Sequence, residues 1–147
     1  MKIRITKEFN FETAHALDGY NGKCKDIHGH SYHLKITFLG EPENDKNVSE
    51  CGMVEDFAVI KKIVNESVYD LFDHRLILRN DSRFKSIEKN NERIRYVDYQ
   101  PTCENMLIEI VKILKARTPE YLLLCKVHLR ETSNNYAEWC AEDNQRS

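Results

Sequence analysis

Two stretches of this chain alternate apolar and polar residues with a period of two, and their phase constrains everything built around them. From Ile3 to about Ala14 the apolar residues Ile3, Ile5, Phe9 and Phe11 fall on odd positions; from Ser31 to about Gly40, Tyr32, Leu34, Ile36 and Phe38 fall on even ones. Successive side chains of a strand point to opposite faces, so each stretch predicts a strand with one buried face. Both are rich in β-branched and aromatic residues, as strands are. Histidines share the buried parity at one end of each: His15 on the first, His28 and His30 on the second. If the strands run unbroken to those ends, three imidazoles turn toward the buried face. Three protein ligands with a fourth position free are the pattern of a catalytic zinc site. Cys24 could be a fourth ligand and close that site, or it could stand beside the metal as a thiolate. The turn-forming residues 18–23, with two glycines, place Cys24 at the end of a loop, where a thiol can reach a pocket.

The remaining segments predict a two-layer α+β protein. Residues 41–47 are a loop by composition. From Phe57 to about Leu71, the residues Phe57, Ile60, Val64 and Leu71, with Ile63 and Val68 beside them, have the spacing of an amphipathic helix. Glu55 and Asp56 stand near its start, where the helix dipole favours acids. Asn80 to Arg95 carries mixed charge, with Phe84 and Ile87 as apolar anchors, and predicts a mobile or partly helical insertion. Ile94 to Tyr99 predicts a short strand. Pro101 and Thr102 open a second helix, with Thr102 as N-cap, Glu104 in the first turn and a broad stripe from Met106 to Leu114. Tyr121 to about Glu131 predicts a third long strand and Tyr136 to Cys140 a fourth. No repeat, low-complexity tract or linker composition divides residues 1–147, which read as a single domain.

Charge and cysteine usage narrow the function classes. A formal net charge of −2 gives no general basic field and no case for nucleic acid. There is no apolar run of about 18 residues to span a membrane. The N-terminus alternates charged and apolar residues where a signal peptide has an apolar block, which predicts a cytoplasmic protein. The five cysteines at 24, 51, 103, 125 and 140 are odd in number and include no Cys-x-x-Cys, which fits reduced thiols.

Five motifs then follow in one order: Phe11-Glu12-Thr13-Ala14-His15, Cys24 with His28-Gly29-His30, Asp73-His74, Pro101-Thr102-Cys103-Glu104-Asn105, and Arg130-Glu131-Thr132. In that order they resemble the 6-pyruvoyltetrahydropterin synthase and 6-carboxytetrahydropterin synthase family, from about Ile3 to Trp139. The resemblance implies the tunnelling fold, a curved antiparallel sheet with two helices on one side and the order ββααββ. It implies zinc held by His15, His28 and His30, with Cys24 as catalytic base. Asp73 and His74 would assist proton transfer, the aspartate fixing the tautomer of the histidine. Glu131 would anchor the pterin ring, with Thr102, Cys103 and Glu104 in the same pocket. Cys103 stands where the family often has a small hydroxyl residue, a departure that touches one pterin hydrogen bond and leaves the pocket.

Parity sorts the other candidates. His33 lies on the opposite face from His28 and His30 and reads as a surface residue. His128 shares the parity of Lys126 and Arg130 and reads as structural. Glu131 shares the parity of Val127 and Leu129, and a carboxylate buried without a partner costs several kcal/mol. The amino-pyrimidinone edge of a pterin offers two parallel N–H donors; an Arg or Lys is the other solution. Glu104 could equally be a first-turn acid placed by the helix dipole. Cys51, Cys103, Cys125 and Cys140 are read as non-catalytic.

The combined reading is a zinc-dependent lyase acting on 7,8-dihydroneopterin triphosphate. The three-residue gap between Cys24 and His28 resembles the bacterial carboxy-type enzymes more than the longer gap of animal pyruvoyl-type ones. That favours 6-carboxy-5,6,7,8-tetrahydropterin with release of acetaldehyde and triphosphate, on the queuosine pathway. The alternative product is 6-pyruvoyltetrahydropterin, by loss of triphosphate alone. Two readings of another class remain: a non-catalytic zinc- or pterin-binding homologue, and a structural zinc protein with Cys24 as fourth ligand. A four-stranded sheet has open edges, and Leu39 beside Phe38 and the run Leu122-Leu123-Leu124 suggest burial on two sides. The resemblance implies a homo-oligomer, a hexamer formed as a dimer of trimers, with active sites at subunit interfaces and with Cys24 and Glu131 of different chains facing one pocket.

Overall fold

The computed structural model describes residues 1–90 and 93–144, without the side chains of 88–90. Strands β1 (Ile3–His15) and β2 (His28–Gly40) pair antiparallel in unbroken register, from Ile3 opposite Gly40 to His15 opposite His28. The predicted phase therefore holds through to the histidines. Odd residues of β1 and even residues of β2 share one face, on which Phe11, Tyr32, Leu34, Ile36 and Phe38 are fully buried. β5 (Leu123–Arg130) pairs antiparallel with β2, and β6 (Tyr136–Cys140) with β5. A bulge between Thr37 and Phe38 leaves Cys125 without a register partner on β2 and resets the phase, so that Leu124 and Val127 both reach the core. These four antiparallel strands are the unit predicted from the sequence.

Two further strands make the sheet mixed and six-stranded rather than four-stranded and antiparallel throughout. β3 (Arg75–Arg79) runs parallel to β1 and β4 (Ile94–Val97) parallel to β3, giving the order β4-β3-β1-β2-β5-β6. β4 is the short strand expected near Ile94. The sequence does not predict β3, and its burial explains why: Ile77 joins the main core, while Leu76 and Leu78 pack with Ala16 on the other face. A strand covered on both faces is a short continuous apolar run, which periodicity cannot assign. The expected insertion supplies that second cover. Phe84 and Ile87 pack with Ile94 and Tyr96 against Ala16, Leu76 and Leu78, and Lys85–Asn90 forms a 3-10 helix, as the partly helical reading predicts. Residues 91 and 92 lie outside the described residues.

The helices cover the main face. α1 (Phe57–Val64) starts at Asp56, whose carboxylate accepts from the Ala58 N–H at 2.7 Å. It continues through a π turn, Asn65–Tyr69, into α2 (Asp70–Phe72), and Ile60, Val64, Val68 and Phe72 all point into the core. α3 (Cys103–Arg117) buries Met106, Leu107, Ile110, Val111 and Leu114. Thr102 is its N-cap, with Oγ1 accepting from the Asn105 N–H at 3.3 Å. Thr102→Ala is expected to lower stability by about 1 kcal/mol through loss of this cap. Urea denaturation followed by circular dichroism reads the change; an unshifted midpoint would show that the cap contributes nothing.

Candidate functional site

The β1–β2 register places His15 directly opposite His28, and Thr13 opposite His30, so the three imidazoles project from the core face at one end of the strand pair. His15 Nε2 and His28 Nε2 are 3.0 Å apart, and ligand nitrogens of all three rings lie within 4.8 Å of one another. Backbone carbonyls set two of the tautomers. Pro101 O is 2.6 Å from His15 Nδ1 and Asp26 O is 2.7 Å from His28 Nδ1; a carbonyl only accepts, so each Nδ1 carries the proton. With Nδ1 of each ring occupied by a carbonyl, the two Nε2 atoms are the ones that face each other and the space between the rings. His30 Nε2 is buried with no hydrogen-bond partner. Burial also pushes His15 and His30 below the ordinary imidazole range, which keeps both rings neutral. Three converging imidazoles, two of them oriented from behind by carbonyls, fit a metal ion. Among the described residues the cluster comprises these histidines alone. Cys24 is outside it, which counts against a closed site with that thiol as fourth ligand.

A cavity of about 450 Å3 opens beside His15 and brings together Cys24, Thr102, Cys103, Glu104 and Glu131. Cys24 sits in a 3-10 turn, Lys23–Lys25, with its carbonyl accepting from the Leu17 N–H at 2.9 Å. Glu131 follows β5, where its N–H donates to Asn135 O at 3.1 Å and carries the β5–β6 ladder one step past Arg130 and Tyr136. The expectation that Cys24 and Glu131 reach one pocket from different chains is overturned, since both line the same cavity of one chain. The reason is topological. Arg130 pairs with His33, so the end of β5 lies at the start of β2, where the Cys24 loop also arrives.

Glu131 has no Arg or Lys partner among the described residues. Its Oε1 accepts from the Tyr32 hydroxyl at 2.9 Å and lies 3.6 Å from His15 Nε2 and 3.8 Å from His30 Nε2. Burial, with the Glu131 charge beside it, pushes the Tyr32 phenol far up, so Tyr32 remains a donor. A carboxylate accepts about four hydrogen bonds, so one oxygen held by Tyr32 fixes the group without saturating it. Parity marks Tyr32 only as core; the available signal was that a buried tyrosine needs a partner for its hydroxyl. Pro101 and Asp26 were likewise missed, because a backbone carbonyl leaves no mark in side-chain patterns. Cys103 lines the cavity but donates to Leu129 O at 3.4 Å, and burial, then the Glu131 charge, pushes its thiol up to about 12. It stays protonated, and Cys24 is the other thiol that lines this cavity.

Asp73 and His74 follow α2. Asp73 Oδ2 is 2.9 Å from His74 Nδ1, and Oδ1 accepts from the Glu12 N–H at 3.0 Å. Burial opposes the charge on Asp73, but the hydrogen bonds from Glu12 and His74 hold its carboxyl below the usual range. His74 has φ of +54°, uncommon for a residue with a side chain, and its N–H donates to Glu12 O at 2.7 Å. The exposed imidazole lines a second cavity, whose wall includes Glu12, Thr13, Ala14, Gly29, His30 and Ser31. Glu12, Ala14, Gly29 and Ser31 have the parity opposite to His15, His28 and His30, while Thr13 and His30 border the cavity from the cluster's side. His74 therefore opens mainly on the other face of the sheet, in a cavity that Cys24 does not line. His33, as expected, stands outside the site, with Nε2 2.9 Å from Glu8 Oε2; the His128 ring packs on Tyr136 with centroids 4.4 Å apart.

Comparison with known proteins agrees with this geometry. The profile of the family described as 6-pyruvoyl tetrahydropterin synthase matches residues 4–142. The 6-carboxy-5,6,7,8-tetrahydropterin synthase of Haemophilus influenzae is 33% identical over 142 residues, covering 93% of this chain and 98% of that protein. The protein of the same name from Rickettsia bellii is 31% identical over 92% of this chain and 99% of its own length. The structure of Caenorhabditis elegans 6-pyruvoyl tetrahydropterin synthase superposes with a TM-score of 0.70 at 26% identity, covering 95% of this chain and 96% of the other. On profile, relatives and fold together, the chain belongs to the 6-pyruvoyl tetrahydropterin synthase family.

Proposed function

We propose that the protein is a zinc-dependent lyase converting 7,8-dihydroneopterin triphosphate to 6-carboxy-5,6,7,8-tetrahydropterin, with release of acetaldehyde and triphosphate, as a step toward queuosine. The observation that carries this reading is one cavity holding the Cys24 thiol and the Tyr32-held Glu131 carboxylate beside the three-histidine cluster. Relatives named for the carboxy product, matched over nearly their whole length, support that product. The Caenorhabditis elegans neighbour, named for the pyruvoyl product, is the ground for the alternative. His15, His28 and His30 would hold the zinc, which when bound supplies Lewis acidity to neighbouring hydroxyl and C–H groups.

The chain's own residues supply the rest. Glu131 accepts the two parallel N–H groups of the pterin edge and sets how far the substrate side chain extends toward the histidines. Thr102, Cys103 and Glu104 form the adjacent wall. Cys24, as a thiolate favoured near a cation, removes a proton from the side chain. His74, with Nδ1 turned to Asp73, has Nε2 free to carry a proton. Because His74 lines a cavity that Cys24 does not, substrate beside Cys24 would meet the His74 of another copy. The active form on this reading is a homo-oligomer, a hexamer of two stacked trimers, with sites between chains. The strand edges at β4 and β6 and the exposed Leu123 are surfaces such an assembly would use. No helix of the described residues is long and apolar enough to cross a membrane, and all five cysteines are free, which fits a cytoplasmic location.

The test is incubation with dihydroneopterin triphosphate and identification of products by chromatography and mass spectrometry. Acetaldehyde with 6-carboxytetrahydropterin supports the proposal, and 6-pyruvoyltetrahydropterin selects the alternative. Binding without turnover marks a non-catalytic homologue.

A further inference from the structure

We infer that Arg75, with Arg93 and His74, forms an oligophosphate-binding site that takes the triphosphate of a substrate whose pterin ring sits in a neighbouring copy; this rests on the function proposed above. The cavity is about 630 Å3, within the range of small-molecule sites. Its basic residues are His74, Arg75 and Arg93, His30 of the metal cluster borders it, and its one carboxylate, Glu12, already accepts from Ser31 Oγ at 2.8 Å.

Arg75 carries the argument. The described residues include three half-buried arginines, Arg75, Arg79 and Arg95. Arg79 is paired with Asp81 and Arg95 with Glu109. No acceptor among the described residues takes a hydrogen bond or ion pair from Arg75. A guanidinium that has lost part of its hydration and gained no acceptor is unfavourable as it stands, and phosphate is the anion its planar fork fits best. Arg93 is held alongside, its carbonyl accepting from the Leu76 N–H at 3.0 Å.

Position points to the same ligand. Arg75 directly follows His74, and on the proposed mechanism His74 faces the substrate side chain. The triphosphate is esterified to the end of that side chain, so the cations flanking His74 face the phosphates. Pterin ring and phosphates would thus be bound by two different chains, one from each face of the sheet.

The test compares wild type with Arg75→Gln, and separately with Arg93→Gln, using three probes. For dihydroneopterin triphosphate, Arg75→Gln should raise KM by about 10- to 100-fold, the worth of one charge-assisted hydrogen bond, with kcat changed much less. Inorganic tripolyphosphate, titrated by calorimetry, should bind wild type and lose affinity by a similar factor in the variant. Dihydroneopterin without phosphates, followed by pterin fluorescence, should bind both proteins equally. Arg93→Gln should show the same pattern more weakly, because its side chain is exposed. Wild-type tripolyphosphate affinity in both variants would overturn the site, as would parallel loss of dihydroneopterin binding. Failure of wild type to turn over the substrate refutes the proposed function instead, and direct tripolyphosphate binding still decides the site.

Discussion

His28→Ala is expected to leave the protein without metal and without turnover, while wild type carries about one zinc per chain. The loss should be near complete because nothing nearby replaces the ligand. The cluster has only three members among the described residues, and Cys24 is not within reach of all of them. His28 is also oriented from behind by Asp26 O, so its lone pair is aimed before any ion arrives. His33→Ala is the control. It removes an imidazole from the same strand, but one that faces Glu8 on the opposite side, and it should keep both metal and activity. Elemental analysis of the purified variants reads the result directly. Stoichiometric zinc in His28→Ala would mean that the ligands have been misassigned.

Cys24→Ala should keep zinc and pterin binding and lose turnover by about two to four orders of magnitude, the usual worth of a positioned proton-transfer group. His74→Ala should do the same. The informative measurement is a mixture. If Cys24 and His74 act on one substrate from different chains, equal mixing with subunit exchange recreates intact pairs in about a quarter of the sites of a symmetric ring, and part of the activity returns. Cys24→Ala mixed with Glu131→Ala should stay inactive, since those two residues share one cavity of one chain. Recovery in the second mixture and not the first would invert the assignment of residues to chains. No recovery in either, with exchange demonstrated by mass, would remove the shared site.

How much was legible in the sequence depended on whether a residue's role shows in side-chain periodicity. The phase of Phe9, Phe11, Tyr32 and Leu34 predicted the face on which His15, His28 and His30 meet, because an unbroken antiparallel register preserves parity over its whole length. Thr102 was legible as a cap because capping is local. β3 was not, because Leu76, Ile77 and Leu78 are buried from both sides and leave no alternation to read. The partition of the site between two cavities was not legible either. Motif order groups residues by resemblance, but does not say that His74 opens into a cavity that Cys24 does not line.

The last turn of β1 has a consequence for inheritance as well as for geometry. Within four residues, its backbone at Glu12 holds Asp73 and His74, and its side chain at position 15 belongs to the metal cluster. In the proposed ring, one chain's β1 end therefore serves its own site on one face and its neighbour's on the other. A lesion there would silence two sites for every defective chain incorporated. Co-expressed with a normal copy, such a variant would act as a dominant poison, whereas a change confined to the Cys24 loop would disable only the site that carries it.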